Sequence, residues 1–113
     1  MDEVSAALIT KALEGLHQRY MFTAQNIANA NSPEYRPMRV SFEESLRAAA
    51  ERGPDAIRAV QPRVIEDDSA EGGAMRLDLE LAAASQTAMR YRALIDILGR
   101  QMALSRAVAA MGR

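Results

Sequence analysis

The chain has 113 residues, enough for one domain, and 49% of them are hydrophobic while only 4% are aromatic. Its 14 basic and 15 acidic residues give a net charge of −1, so no cationic excess exists to neutralise a nucleic-acid backbone, and we expect no nucleic-acid partner. The absence of cysteine excludes disulfides and thiolate metal sites.

The first residues predict neither a cleavable secretory signal nor a membrane span. Residues 1–5 are acidic where a signal would be basic, and no apolar run follows them. No segment approaches the ~18 uninterrupted apolar residues that a spanning helix requires. We therefore expect no direct membrane insertion, and a protein leaving the cytosol would need another export route.

Residues 1–32 are predicted to form a long helix, because apolar side chains recur along one face in alternating steps of three and four. That face carries Ile9, Leu13, Leu16, Tyr20 and Ile27. The predicted end lies near Asn31 and Ser32, since Pro33 disfavours helical geometry in the residue before it. Gly15 should weaken the helix by about 1 kcal/mol without stopping it.

Residues 33–76 are predicted to form a small, partly irregular middle region. A short helix near 42–51 is favoured by a capping-box pattern at 41–44, and Gly53 and Pro54 would close it. Residues 57–65 include Pro62, which indicates an extended or edge segment. Residues 66–73 are polar and glycine-rich, which is typical of a mobile loop.

Residues 77–113 are predicted to form a second long helix, with Asp78 as its N-cap. One apolar face is expected to pack on the N-terminal helix through Leu81, Tyr91, Ile95, Leu98 and Met102. A second apolar stripe is expected to contact other subunits through Leu94, Ile97, Leu104, Val108 and Met111. The predicted fold is all-α, an antiparallel coiled-coil hairpin of the two long helices.

The stretch from residue 26 to residue 35, Asn-Ile-Ala-Asn-Ala-Asn-Ser-Pro-Glu-Tyr, is the most informative segment. Asn26 and Asn29 lie three residues apart and so share a helix face. Asparagine side chains there are compatible with a fraying helix end or with a directed hydrogen-bonded contact. The residues alone leave both interpretations open.

This stretch resembles the signature of the flagellar rod, hook and hook–filament-junction proteins, usually Asn-Asn-Ile-Ala-Asn-x-x-Thr-Pro-Gly-Tyr. The positions that correspond to the motif are Asn26, Ile27, Ala28, Asn29, Ala30, Ser32, Pro33 and Tyr35. Ser32 stands in place of the usual threonine and keeps its hydroxyl. The closing segment, with Leu-Asp-Leu-Glu at 77–80 and Tyr-Arg-Ala-Leu at 91–94, resembles the end of proximal rod proteins of the FlgB type. Glu34 replaces the usual glycine, so the turn should be type I or open, because a type II turn requires positive φ there.

The resemblance implies a structural subunit of the flagellar basal-body rod, in its proximal part. Such a subunit self-assembles with other rod proteins into the tubular drive shaft needed for motility. The implied partners are copies of itself, other rod proteins, the membrane-ring/rod junction protein and the export gate. The implied location is the periplasmic rod, reached through the flagellar type III export system, and no cofactor is implied.

Two other classes of function differ in how far the sequence supports them. An enzyme is disfavoured, because the lone His17 lacks partners, Gly72 and Gly73 lack a following phosphate-binding Lys, and no catalytic, cofactor-binding or metal site is expected. An acidic cluster lacks the ligand order of an EF-hand; it comprises Glu66, Asp67, Asp68 and Glu71. A cytosolic helical adaptor or chaperone of a flagellar or type III secretion system remains open.

The arginines of the last helix would serve solubility or inter-subunit ion pairs; they are Arg90, Arg92, Arg100 and Arg106.

Overall fold

The computed structural model describes residues 1–68 and 76–112. In these ranges the chain is mostly helical, with a two-stranded sheet in the middle. The elements in chain order are α1 (Glu3–Ala28), β1 (Met38–Ser41), α2 (Glu43–Ala50), α3 (Pro54–Arg58), β2 (Arg63–Glu66) and α4 (Leu77–Met111). No helix in the described part of the chain combines the length and apolarity needed to cross a bilayer.

The predicted N-terminal helix is present and begins with a side-chain cap. The backbone N–H of Ser5 donates a 2.7 Å hydrogen bond to the carboxylate of Asp2, which satisfies a donor of the first turn. The helix ends at Ala28, a few residues earlier than predicted. It ends there because the chain turns after Asn29, where the N–H of Ser32 bonds the Asn29 carbonyl at 3.0 Å.

The predicted C-terminal helix begins at Leu77 as expected, but the assignment of its N-cap is wrong. Arg76 occupies the cap position with extended backbone angles and no side-chain cap bond. Asp78 instead lies inside the first turn, where its carboxylate accepts hydrogen bonds from the Arg76 guanidinium at 3.2 and 2.9 Å. Its negative charge still stabilises the positive end of the helix dipole.

Helices α1 and α4 lie antiparallel. The end of α1 contacts the start of α4 through Asn26 and Glu80, and midway the rings of His17 and Tyr91 lie 6.4 Å apart. The start of α1 lines a shallow groove with the segment of α4 around Met102. Since α1 has 26 residues and α4 has 35, the last turns of α4 project beyond the start of α1.

The middle region contains a sheet that the all-α prediction lacked. β1 and β2 pair antiparallel, with Val40 opposite Val64. The predicted extended segment at 57–65 is divided, because Ile57 belongs to α3 and only residues from Arg63 onward form a strand. Pro54 at the first helical position, after Gly53 with a φ of 104°, starts the short helix α3.

The short helix predicted near 42–51 is observed as α2, Glu43–Ala50, but the predicted capping box does not form. Ser41 belongs to β1, and Phe42 occupies the N-cap position without a side-chain cap bond. Phe42 is buried in the core instead, so packing, and not capping, fixes the start of this helix. The loop predicted at 66–73 lies mainly outside the described residues, and Glu66 closes β2.

The hydrophobic core lies between α1 and the middle region. Its buried members are Ala7, Leu16, Val40, Phe42, Leu46, Ala49 and Ile57. Gly15 explains the closeness of this packing, because a Cβ atom at this position would lie 2.6 Å from Cγ of Phe42. The helix weakness that glycine brings is therefore the cost of seating this ring against α1.

Candidate functional site

Asn26, in the stretch singled out in the sequence, is fully buried and all of its side-chain hydrogen-bonding groups are used. Its Oδ1 accepts from the backbone N–H of Met38 at 2.9 Å and from the Tyr35 hydroxyl at 2.8 Å. Its Nδ2 donates to the Met38 carbonyl at 3.0 Å and to the Glu80 carboxylate at 3.2 Å. One side chain thus joins α1, the following loop, β1 and α4 at a single point, which we name the Asn26 junction.

The Asn26 junction continues into an ion-pair network. Glu80, only 2% exposed, lies 2.6 Å from the Arg39 guanidinium, whose Nε bonds Asp67 at 3.0 Å. Breaking a buried pair by removing one partner leaves an uncompensated charge, so this network defines one arrangement of the long helices relative to the sheet. Burial, reinforced by the charge of Glu80, raises the pKa of the Tyr35 hydroxyl, which stays a donor to Asn26 at neutral pH.

The turn that follows is closed by local hydrogen bonds. Asn29 Nδ2 donates to the Gln25 carbonyl at 2.9 Å, and the N–H of Tyr35 bonds the Ser32 carbonyl at 3.2 Å. Glu34 does not adopt positive φ; among the described residues, Gly53 has a positive φ and no residue other than glycine does. The turn at 32–35 is therefore not type II, in agreement with what the glutamate predicts. Of the remaining motif positions, Ile27 and Ala30 are half-buried, while Ala28 and Pro33 are exposed.

A second junction holds the middle region on α1. The Arg19 guanidinium makes two hydrogen bonds to the Glu43 carboxylate at 2.6 and 2.7 Å, and it also donates to the Val40 carbonyl at 2.7 Å. It stacks on the Phe42 ring, with 4.8 Å from Cζ to the ring centroid. The paired guanidinium lowers the pKa of Glu43 to about 2. Arg19 and Asn26 together occupy the edge of β1 that faces away from β2.

The predicted packing face of the two long helices is only partly covered in the single chain. Leu16 is buried, Tyr91 is half-buried against the core, and Ile9, Leu13, Ile27 and Leu98 are half-buried. Four members of that face are exposed, namely Tyr20, Leu81, Ile95 and Met102. On α4, the buried Glu80 and Thr87 and the half-buried Leu94 lie one residue before Leu81, Ala88 and Ile95. Tyr91 and Leu98 are half-buried at their predicted positions, so the buried face is shifted by less than one residue.

The assignment of Leu94 to a subunit-facing stripe is therefore corrected, because it packs on the core of its own chain. The other members of that stripe lie at the surface. Ile97, Leu104, Val108 and Met111 are all exposed, Leu104 by 57% and Met111 by 84%. Large apolar side chains exposed along one helix are typical of a surface that meets a partner.

Sequence reasoning missed the main partners of the motif. Glu80 stands out in the sequence only as part of the Leu-Asp-Leu-Glu segment that resembles proximal rod proteins, and Arg39, Arg19 and Glu43 carry no signal. Glu80, Thr87 and Leu94 recur every seven residues, and this spacing is visible in the sequence. A row that begins with a charge does not register in a search for apolar periodicity.

The described residues offer little that resembles a catalytic centre. His17 is exposed on α1 and makes only the distant ring contact with Tyr91. Within 1–68 and 76–112, no three His, Asp or Glu side chains gather in a way that would hold a metal ion. Asp67 and Asp68 of the predicted acidic cluster pair with Arg39 and Arg36, and Glu71 lies outside the described residues. The arrangement is that of a helical protein whose polar junctions position its long helices.

Two flagellar rod proteins are similar to this chain over most of its length. The chain is similar to the flagellar basal body rod protein FlgB of Escherichia coli (strain K12), with 25% identity over 126 aligned positions that cover 90% of this chain and 91% of that protein. It is similar to the same extent to the flagellar basal body rod protein FlgB of Shigella flexneri. No protein-family profile matches the chain.

Proposed function

We propose that this protein is a structural subunit of the bacterial flagellar basal-body rod, in its proximal part. The observation that carries the proposal is the similarity to FlgB proteins across nearly the whole length of both chains. A similarity of this extent includes both long helices and the middle region between them. The function is then mechanical, and no catalytic group or cofactor is required.

The Asn26 junction supports this proposal, because it gives the family-like motif a physical task. A rod subunit must transmit torque, so its long helices and its middle region must keep one relative orientation. The four hydrogen bonds of Asn26 and the Glu80–Arg39 pair hold α1, β1 and α4 at one point. Buried polar networks that are fully satisfied favour a unique arrangement over alternatives.

The apolar stripe on α4 supports a role in assembly. Ile97, Leu104 and Met111 recur every seven residues and remain exposed in the single chain. In the proposed function, hairpins of α1 and α4 assemble into a tube, and this stripe contacts a neighbouring subunit. The proposed partners are copies of the chain, other rod proteins, the membrane-ring/rod junction protein and the export gate.

The proposed route to the rod is the flagellar type III export system, which delivers chains unfolded or loosely folded. The proposed final location is the periplasmic rod of the basal body. Within residues 1–68 and 76–112, seven apolar residues are buried, which is a small core. A small core favours a chain that unfolds readily for export. Contacts with neighbours would then stabilise the helices after delivery.

The stripe offers a direct test of the proposal. Cells that lack the gene are complemented with Ile97→Asp, Leu104→Asp or the control Ala103→Asp, which places the same charge on an exposed neighbouring position off the stripe. We expect the two stripe variants to be exported but not to restore swimming, and the control to restore it. Normal swimming with both stripe variants would contradict the assignment of this surface. A defined cytosolic dimer that never enters basal bodies would favour the adaptor or chaperone.

A further inference from the structure

Charge is divided unevenly along this chain. Residues 1–81 hold nine basic and 14 acidic side chains, while residues 82–113 hold five basic and one acidic. The first part therefore carries a net charge of −5 and the second a net charge of +4, although the whole chain is nearly neutral. Such an asymmetry attracts the basic part of one molecule to the acidic part of another.

The basic part carries a regular surface on α4, which we name the arginine row. Its members recur in steps of three and four along one face and comprise Arg90, Ala93, Ile97, Arg100, Leu104, Val108 and Met111. All of them are exposed, and neither arginine forms an ion pair with any residue in 1–68 or 76–112. The row thus presents apolar side chains and unsatisfied positive charge together.

Acidic residues also lie near the end of α4 but are engaged elsewhere. Asp2 caps α1 through the Ser5 N–H, and Glu3 pairs with Arg58. Asp96 is the acidic residue of the row's own helix, and it lies off the row. Asp96 lies four residues before Arg100 and so offsets part of its charge, although no ion pair forms between them within the described ranges. No acid of α4 lies within a turn of Arg90.

The opposite end of the molecule carries a surface of the opposite sign, which we name the sheet end. It comprises the exposed acids Glu34, Glu66 and Asp68 and the exposed apolar residues Val64 and Ile65 of β2. Side chains alternate between the faces of a strand, so Val64 lies on the same face as Glu66 and Ile65 on the other. Glu34 and Glu66 form no ion pair within the described ranges, and Asp68 reaches only the exposed Arg36 at 3.4 Å.

The cations near the sheet end are mostly occupied by its own acids. Arg39 is paired with Glu80 and Asp67, and Arg76 with Asp78. The exposed cations that remain are Arg63 of β2 and Arg36, which lies 3.4 Å from Asp68. The outer edge of β2 is exposed along all four residues. This end therefore combines acidic and apolar surface with a strand edge that the described chain leaves uncovered.

The arginine row and the sheet end cannot meet within one molecule. The sheet lies at the start of α4, whereas Arg90, the nearest member of the row, lies 13 residues or about 20 Å further along this helix. The molecule measures 64 Å along its longest axis. A contact between the two surfaces therefore requires two molecules.

We propose that copies of this chain associate head to tail, with the arginine row of one copy packing on the sheet end of the next. The occupant is a second copy because its sheet end supplies acids for Arg90 and Arg100 and apolar side chains for Ile97 and Leu104. Pairing two arginine rows would bring like charges together. A contact between different surfaces of identical chains repeats without limit or closes into a ring, whereas a two-fold contact stops at a dimer. The inference rests on the proposed function and deepens it by naming the surfaces of two subunits that meet.

Reciprocal charge reversal tests this contact. The tail variant carries Arg90→Glu and Arg100→Glu, and the head variant carries Glu34→Arg and Glu66→Arg. The full chain and each variant are followed by sedimentation velocity at low ionic strength. We expect the unaltered chain to associate, and each variant alone to associate at least about tenfold more weakly, because two attractive contacts become repulsive. Raising the salt concentration should also weaken the association of the unaltered chain.

A mixture of the two variants is the decisive sample. The reversed tail of one variant matches the reversed head of the other, so mixing should restore association, while neither variant does so alone. The control is Arg47→Glu with Arg52→Glu, which makes the same charge change as the tail variant on exposed positions of the middle region and should leave association unchanged. Circular dichroism of each variant distinguishes a lost contact from a lost fold.

Several outcomes would overturn the inference. The first is that the unaltered chain stays monomeric at its highest soluble concentration in low salt. The second is that the variants associate as strongly as the unaltered chain. The third is that the mixture of the two variants does not recover association. If the variants also restore swimming to cells lacking the gene, the head-to-tail contact is refuted while the rod function stands. If cells lacking the gene build normal rods, the proposed function itself fails.

Discussion

Replacing Asn26 by alanine removes the four hydrogen bonds of the Asn26 junction in one step. Two join the side chain to the backbone of Met38, one to the Tyr35 hydroxyl and one to the Glu80 carboxylate. A neutral hydrogen bond contributes about 1 kcal/mol net, and one to a charged group about 1.5–3 kcal/mol. The sum is about 5 kcal/mol. The net loss is smaller, because water can enter the site and because alanine has a better helix propensity than asparagine.

We therefore expect Asn26→Ala to lower the free energy of unfolding by about 3–4 kcal/mol. That is a large share of the ~5–15 kcal/mol typical of a small domain. The measurement is urea unfolding followed by circular dichroism, with the slope compared between variants to show that the compactness of the denatured state is unchanged.

Asn29→Ala is the matched control, because it changes the same residue type within the same motif. Asn29 bonds only the Gln25 carbonyl and the Ser32 hydroxyl, both at exposed positions. Its loss should cost less than about 1 kcal/mol. A destabilisation by Asn26→Ala no greater than that of Asn29→Ala would refute the view that Asn26 fastens the long helices to the sheet.

Two further predictions concern how the middle region is held on α1. Gly15→Ala should destabilise the protein by about 1–3 kcal/mol despite the higher helix propensity of alanine, because the new methyl group overlaps the Phe42 ring; thermal unfolding would show this, and a stabilised variant would contradict the packing. The folded-state pKa of Glu43, about 2, is below its ordinary value of 4.5, so the Arg19 pair stabilises the fold above about pH 5, and this contribution is lost as pH falls toward 2. Its carboxylate is 47% exposed, which reduces the effect to about 1 kcal/mol. Glu43→Gln should remove this part of the pH dependence of unfolding, and an unchanged profile would exclude the pair as its cause.

The two long helices could be predicted from sequence because their apolar side chains recur with helical periodicity over many turns. The buried face of α4 was predicted only in part: Tyr91 and Leu98 are half-buried as expected, but Glu80 and Thr87 lie on that face in place of Leu81 and Ala88. A period measured on apolar residues alone is drawn toward Leu81 and Ile95, which are exposed in the single chain.

The sheet was missed because its strands have four residues each and do not alternate clearly between apolar and polar side chains. The importance of Asn26 could be anticipated from its place beside the apolar face. Its partner Glu80 lies 54 positions away and is brought there only by the antiparallel arrangement of the long helices. Pairings at that separation depend on the tertiary fold and leave no local signal in one sequence.

The central claim is that this chain is a structural part of the flagellar rod. Electron microscopy of hook–basal bodies purified from cells lacking the gene tests it most directly. We predict non-motile cells whose basal bodies end at the membrane ring without a rod. Returning the gene should restore both swimming and the rod. Complete rods in cells lacking the gene would contradict the claim.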